Sequence, residues 1–238
     1  MPIIDCYTLL GSWPQAEVDL SVEALAAGMQ ARGVSQSLVT HTSAIFYTAN
    51  LGNDRTVEIC AQHAPLVPVA VVNPLDYPAC LDEVARRLEQ GVRVFRLCPC
   101  EHRYPFQGVV GPLREVLGAL AGAKLILADL VGLPAPVIGA DLYDLLPCPT
   151  AVSVDSASLG TVIQAAKQAP NLWVETSRLD GGGAIEAAVR HLGAQRVVFG
   201  SVAPLRTLGS AVVSVQYAEL SDADRAAIFE GNLQRALA

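Results

Sequence analysis

One alternation governs this 238-residue chain: short β-branched runs recur, and amphipathic stretches rich in alanine and leucine separate them. The runs are Ile3–Cys6, Ser37–Thr40, Leu66–Val72, Val92–Leu97, Lys124–Ala128, Ala151–Val154, Leu172–Glu175 and Arg196–Phe199. Helical periods fall near 20–32, 53–63, 79–90, 110–121, 156–168 and 183–192, whereas Pro134–Asp144 reads as irregular with at most a short helix. Near-continuous apolar runs, each followed by a helix or connector, predict strands buried on both faces in a parallel sheet. Eight such units predict an α/β fold of the (β/α)8 TIM-barrel type, slightly short and distorted. A doubly wound open sheet fits less well, because no run is followed by G-x-G-x-x-G and Gly181-Gly182-Gly183 follows a late one. No linker composition interrupts the pattern, so residues 1–238 read as a single barrel domain. A closing helix is announced by Ser221, with Asp224 at its third position, as in a capping box. Ile228, Leu233 and Leu237 supply that helix's apolar stripe.

Composition limits the function. With 52% hydrophobic and 16% charged residues, the chain can build a large core and is not disordered. Sixteen basic against 23 acidic residues give a net charge of −7, which argues against a nucleic-acid surface. No apolar stretch approaches the roughly 20 residues that span a bilayer. The start, MPIIDCYTLLGSW, has no basic n-region and carries Asp5 within its apolar stretch. A cytoplasmic protein is expected, with its six cysteines reduced. Cys6, Cys60, Cys80 and Cys148 read as small buried hydrophobes.

The two ends of the chain carry a resemblance. Ile3-Ile-Asp-Cys-Tyr-Thr-Leu-Leu-Gly11 resembles the opening strand of the amidohydrolase-2 family, I-D-x-H-x-H-x-G. Arg196-Val-Val-Phe-Gly-Ser-Val-Ala-Pro204 resembles its eighth, R-V-L-F-G-S-D-x-P. The segment from Leu220 to Asn232 is similar to the family's final helix, and Asn53-Asp54 and Val72-Asn-Pro74 fit its second and third units. The resemblance implies a distorted TIM barrel from a superfamily of metal-dependent hydrolases and decarboxylases. It also implies a homodimer.

Matched residue by residue, the family's metal site is substituted. Its two first-strand histidines correspond to Tyr7 and Leu9, and its eighth-strand aspartate to Val202. Its fifth-strand histidine falls near Asp129 and its sixth-strand histidine, the usual acid/base, near Asp155. Leu9 and Val202 have no lone pairs, and a phenol with a pKa near 10 is a reluctant ligand. The expectation is no metal and no other cofactor.

The remaining candidates are strand-end residues, where TIM barrels place their active sites. Asp129 and Asp155 close adjacent strands, and two nearby carboxylates divide into an acid and a base; the alternative is that Asp155 caps the next helix. Tyr7 and His41 are placed to orient a substrate, and Arg96 and Arg178 to hold its carboxylate, with Arg103 and Arg206 on the same rim. A rewired hard-cation site would use Asp5, His41, Asp129, Asp155 and Glu175. Cys98-Pro-Cys100-Glu-His102 has metal-like content but lacks a second pair, so it reads as a loop, or as a thiol activated by Arg96 or His102. Asp180-Gly-Gly-Gly183 reads as a connector. Ser153, Ser156, Ser177 and Ser201 lack an elbow motif or a paired histidine, and His63 and His191 read as surface residues.

Three functions stay open. The first is a barrel that binds a small anionic organic molecule, with metal-independent acid/base chemistry or as a pseudoenzyme. The second is a metal-dependent hydrolase or decarboxylase with relocated ligands. The third is a non-catalytic partner subunit.

Overall fold

A computed structural model describes residues 1–104, 110–130 and 144–238. Its strands are β1 (Ile3–Trp13), β2 (Ala16–Leu20), β3 (Val34–His41), β4 (Leu66–Val72) and β5 (Val94–Leu97). They continue with β6 (Leu125–Asp129), β7 (Thr150–Ser153), β8 (Leu172–Glu175) and β9 (Val197–Val198). The sheet order is β2-β1-β3-β4-β5-β6-β7-β8-β9, and every neighbour pair from β1 and β3 onward is parallel. The sheet closes on itself: Cys6 N–H donates to Phe199 O at 2.9 Å, Leu9 N–H to Ala203 O at 2.8 Å, and Thr8 bridges Ala203 in parallel. The eight expected runs are thus the eight strands of a TIM barrel. Part of the irregular stretch Pro134–Asp144 lies outside the described residues, as do 105–109.

Side-chain alternation sorts the core into two layers. Val69, Val71, Val94, Leu125, Leu127, Ala151, Trp173 and Val198 point into one cluster that fills the barrel. Their neighbours Ala70, Val72, Phe95, Ile126, Val152 and Val174 pack outward against helix residues such as Leu25, Val84 and Leu113. Helices Val22–Arg32, Ala49–Gln62, Ala79–Glu89, Val110–Ala119, Leu159–Ala166 and Ala184–Leu192 supply that outer layer. The last segment begins as expected, with Ser221 Oγ accepting from Asp224 N–H at 3.1 Å. It passes through a π turn at Ala227–Gly231 into Asn232–Leu237. Buried Asn232 donates to Ala194 O and Val197 O at 2.7 Å, and Leu233 enters the barrel cluster.

Three elements are absent from the sequence reading. β1 runs to Trp13 and turns back as β2, an antiparallel hairpin with Gly11 opposite Leu20. Ser43–Phe46 forms a helical turn, and Leu208–Gln216 a helix that packs on Val22–Arg32. Gly52 lets helix Ala49–Gln62 approach that turn, because a Cβ there would overlap the Ala44 backbone. Val202 holds φ +61°, a left-handed conformation costly for a β-branched residue. It is held there by its N–H bond to Tyr7 O at 2.8 Å and by Arg206 N–H donating to its carbonyl at 3.0 Å.

Buried charge ties the helices to the strands. Asn53 accepts from Val71 N–H at 2.8 Å and donates to Val71 O and Glu83 at 2.9 Å. Glu83 in turn holds the buried Arg87 guanidinium at 2.7 Å, which also reaches Asp54 at 2.6 Å. At the closure seam, Asp5 Oδ1 accepts from Tyr7 N–H at 3.0 Å and Ser201 N–H at 3.1 Å, and Ser201 Oγ donates to its Oδ2. Burial pushes the Asp5 carboxyl up to about 7, the Ser201 and Tyr7 bonds pull against it, and nearby Glu175 adds repulsion.

Two outcomes are expected. Glu83→Ala removes one partner of a buried ion pair and should cost about 3 kcal/mol in urea denaturation, with Glu83→Gln costing less. Folded Asp5 holds its proton up to about 7, against an ordinary 3.8 unfolded. Its contribution is therefore complete below the unfolded value and fades as pH rises through 7. The melting temperature of the wild type should fall between pH 5 and pH 8, and Asp5→Asn should flatten that slope.

Candidate functional site

Along the inward-facing rows, apolar side chains give way to polar ones at the C-terminal strand ends. Val94 leads to Arg96 and Cys98, Leu127 to Asp129, Ala151 to Ser153, and Trp173 to Glu175. Strand register sets Asp129 beside Ser153, and the Val152–Val174 pairing sets Ser153 beside Glu175. Gly200 leaves Glu175 its place, since a Cβ there would overlap Glu175 Oε2.

Arg96 lies at the centre. It is fully buried, yet its Nε, Nη1 and Nη2 find no hydrogen-bond partner among the described residues. Its Cζ stands 3.8 Å from the Tyr7 ring centroid, a cation–π contact, and its Nη1 is 3.9 Å from Asp129 Oδ2. Burial is the largest single influence and works against its charge, but Asp129, Tyr7, Cys98 and Cys6 together outweigh it and keep Arg96 above its ordinary value. A buried guanidinium without hydrogen bonds is expensive, so five inward-facing N–H groups call for an explanation.

The acids around it are all pushed upward. Burial raises Asp129; Arg96, a hydrogen bond from Tyr7, Arg178 and Cys98 oppose the rise. Glu101 rises to about 7 through burial and the charge of Asp129. Its Oε2 is buried without a hydrogen-bond partner among the described residues. Glu175, bonded at 2.7 Å by both Ser177 N–H and Ser177 Oγ, is raised by burial as well. Cys98 Sγ lies 3.8 Å from Asp129 Oδ2, and burial with Asp129's charge lifts its thiol well above the ordinary range. Cys100 is pushed up to about 12, chiefly by burial. Neither cysteine is an activated thiolate, which corrects that expectation.

Tyr7, Arg96 and Asp129 are thus neighbours, and Arg178 acts on both Asp129 and Glu101 by its charge. Asp155 is occupied differently: its Oδ1 accepts from Ser158 N–H at 2.8 Å at the turn into helix Leu159–Ala166. The carboxyl group that pairs electrostatically with Asp129 is Glu101, which the sequence reading passed over because cysteine and histidine marked that string. His41 bonds Ser43 Oγ at 2.7 Å through Nδ1 and packs over Gly11, and burial with the Arg55 charge lowers its pKa. His102 turns its Nε2 to Ile45 O at 3.1 Å. Arg206 is engaged by Ser177 O and Asp180, and Arg103 is exposed. Ser156 Oγ accepts from Gly181 N–H, and Ser201 serves Asp5, so neither serine has a histidine base.

The rewired set Asp5, His41, Asp129, Asp155 and Glu175 is not gathered. Among the described residues, the trio with donor atoms within 4.8 Å of one another is Cys98, Glu101 and Asp129. Of the positions that the resemblance matches to family ligands, Asp129 keeps a carboxylate that could hold an ion, whereas Tyr7, Leu9 and Val202 are poor donors. Tyr7's ring lies against Arg96, and Leu9 and Val202 are fully buried in the apolar barrel cluster.

The family model for amidohydrolases matches residues 7–237. Among solved structures, a 2,6-dihydroxybenzoate decarboxylase from Rhizobium aligns with a TM-score of 0.74 at 14% identity, covering 98% of each chain. A 5-carboxyvanillate decarboxylase from Sphingomonas paucimobilis aligns with 0.74 at 12%, also over 98% of each chain. A dihydroxybenzoic acid decarboxylase from Polaromonas, with bound manganese and the inhibitor 2-nitroresorcinol, aligns with 0.73 at 13%, over 98% of this chain and 96% of that one. No curated protein sequence matches. The structural likenesses establish a shared barrel, and the family match over nearly the whole sequence places this chain in the amidohydrolase family.

Proposed function

We propose that this protein binds a small organic carboxylate at the barrel mouth, without a metal ion. The observation that carries the reading is the buried guanidinium of Arg96, which has no hydrogen-bond partner among the described residues. A planar carboxylate satisfies such a fork through two charge-assisted hydrogen bonds. Arg178, whose Nε is buried without a hydrogen-bond partner among the described residues, supplies a second positive group at the rim. The Tyr7 ring, stacked on the Arg96 guanidinium, gives the charged group an aromatic neighbour against which a planar ligand can lie. The dihydroxybenzoate and carboxyvanillate decarboxylases of similar fold act on aromatic acids, which favours an aromatic carboxylate here.

Each group has a defined task in this reading. Arg96 fixes the carboxylate, and Tyr7 orients it through its ring contact with the guanidinium and its hydroxyl bond to Asp129. Asp129 and Glu101 repel each other, so one of the pair keeps a proton near neutrality and can deliver it to a bound anion. General acid–base help of this kind contributes a factor of about 10²–10⁴, so any turnover is modest.

The test uses benzoate and 2,6-dihydroxybenzoate as probes, with benzamide as the uncharged control. Both acids should raise the melting temperature of the wild type, and benzamide should not. Arg96→Met should weaken benzoate binding about 10- to 100-fold, the value of hydrogen bonds to a charged group. Affinity should also decline above about pH 7, where Glu101 ionises and repels the anion. Equal stabilisation by benzoate and benzamide, or unchanged binding in Arg96→Met, would overturn the reading.

A further inference from the structure

Cys98, Glu101 and Asp129 form an incomplete metal site with an arginine inside its electrostatic reach. Their donor atoms, one thiol and two carboxyls, all lie within 4.8 Å of one another. Donors of tetrahedral zinc sit roughly 3.5 Å apart when each bond is about 2.0–2.3 Å, so only a small contraction would close this trio on an ion. Cys98 and Glu101 lie in a short turn after β5 that His102 N–H closes on Cys98 O at 2.9 Å, and Asp129 ends the adjacent β6, whose Ala128 pairs with Leu97. Among the described residues two cations act on the trio: Arg178, through Asp129 and Glu101, and the side chain two residues before Cys98, which acts on all three. That side chain is Arg96, whose Nη1 is 3.9 Å from Asp129 Oδ2 and whose charge acts on Cys98 and Glu101 as well.

We propose that the Arg96 guanidinium is a resident cation that takes the place of a metal ion and keeps divalent cations out of the latent Cys98–Glu101–Asp129 site. This rests on reading the mouth as an anion site, and it adds a reason for the arginine to be buried there. Two positive centres held within a few ångströms of each other at Asp129 repel strongly in a poorly screened interior, which weakens binding of the second. The guanidinium differs from an ion in a way that suits the proposal. It is planar, permanently charged and anchored to a strand, so it offers a positive surface without an open coordination position. No group among the described residues takes up its N–H donors, which leaves them to a ligand, whereas a bound ion would present only its vacant sites.

The experiment is a titration with zinc chloride of protein purified without chelator or metal-affinity resin, read by calorimetry and by elemental analysis after desalting. The wild type should take up no stoichiometric zinc. Arg96→Ala should bind about one equivalent, at least ~100-fold more tightly than the wild type, since a nearby unit charge is worth that much in this setting. Cys98→Ala in the Arg96→Ala background should remove that binding, and Arg96→Lys should remain free of zinc. If Arg96→Ala does not fold, Arg96→Gln replaces it, being uncharged but polar. One equivalent of zinc in the wild type that Cys98→Ala abolishes would overturn the proposal. So would a folded uncharged variant that takes up none. Benzoate binding is scored separately on the wild type, so a failure of the metal-exclusion idea is distinguishable from a failure of the carboxylate reading.

Discussion

The arrangement of the mouth depends on a single desolvated charge. Arg96 projects from β5 into the barrel, above a floor of Val94, Leu125 and Trp173, and no protein hydrogen bond described here neutralises it. The acids around it feel that charge against the pull of burial. Burial raises Asp129, Glu101 and Cys98 alike, the Arg96 charge opposes the rise in each, and the Asp129 charge adds to the rise of Glu101 and Cys98. The Tyr7 ring completes the cage on the β1 side. The same strand alternation that packs the barrel delivers these side chains, so the site follows from the core rather than being added to it.

Much of this was legible in the chain. Continuous β-branched runs marked every strand of the closed barrel, because strands buried on both faces have no polar alternation to hide them. The hairpin strand Ala16–Leu20 was missed because it is short, half exposed and continuous with the sequence that leads into the Ser21 cap. Helix Leu208–Gln216 was missed because Val212, Val213 and Val215 have low helix propensity, and burial against Val22–Arg32 overrides it. Among the residues at the mouth, Arg96, Asp129 and Arg178 were marked by their places in or after the strands, and Tyr7 was marked by the resemblance of the first strand as well. Glu101 was not, since its relation to Asp129 depends on how the turn after β5 folds back. Asp155 offers the converse lesson: a strand-end acid followed by serines satisfies a helix start as readily as a catalytic role.

A second buried cluster holds the barrel shut. Asp5 bonds the first strand to the segment after the last through Ser201 N–H and Oγ, while Glu175 beside it takes its bonds from Ser177 within its own turn. A parallel barrel has only one seam where sequence-distant strands must meet, and here a buried carboxyl fastens it together with backbone bonds and apolar packing. Placing acids with raised affinities for protons at that seam links closure of the sheet to acidity, although neither group faces the mouth's guanidinium directly in hydrogen-bond contact.

Val202 records a different history. Its backbone sits at φ +61°, a region that aspartate and asparagine enter far more readily than valine, and its position matches an aspartate in the resembling eighth-strand motif. The bonds to Tyr7 O and from Arg206 hold the main chain there regardless of the side chain. The loop thus holds a backbone shape that suits an aspartate better than the valine it carries. Scaffold and side chain are set independently at this point, because main-chain bonds alone fix the curve. An oxygen-bearing side chain at this position calls for no new backbone path, so the barrel is a ready frame for chemistry of another kind.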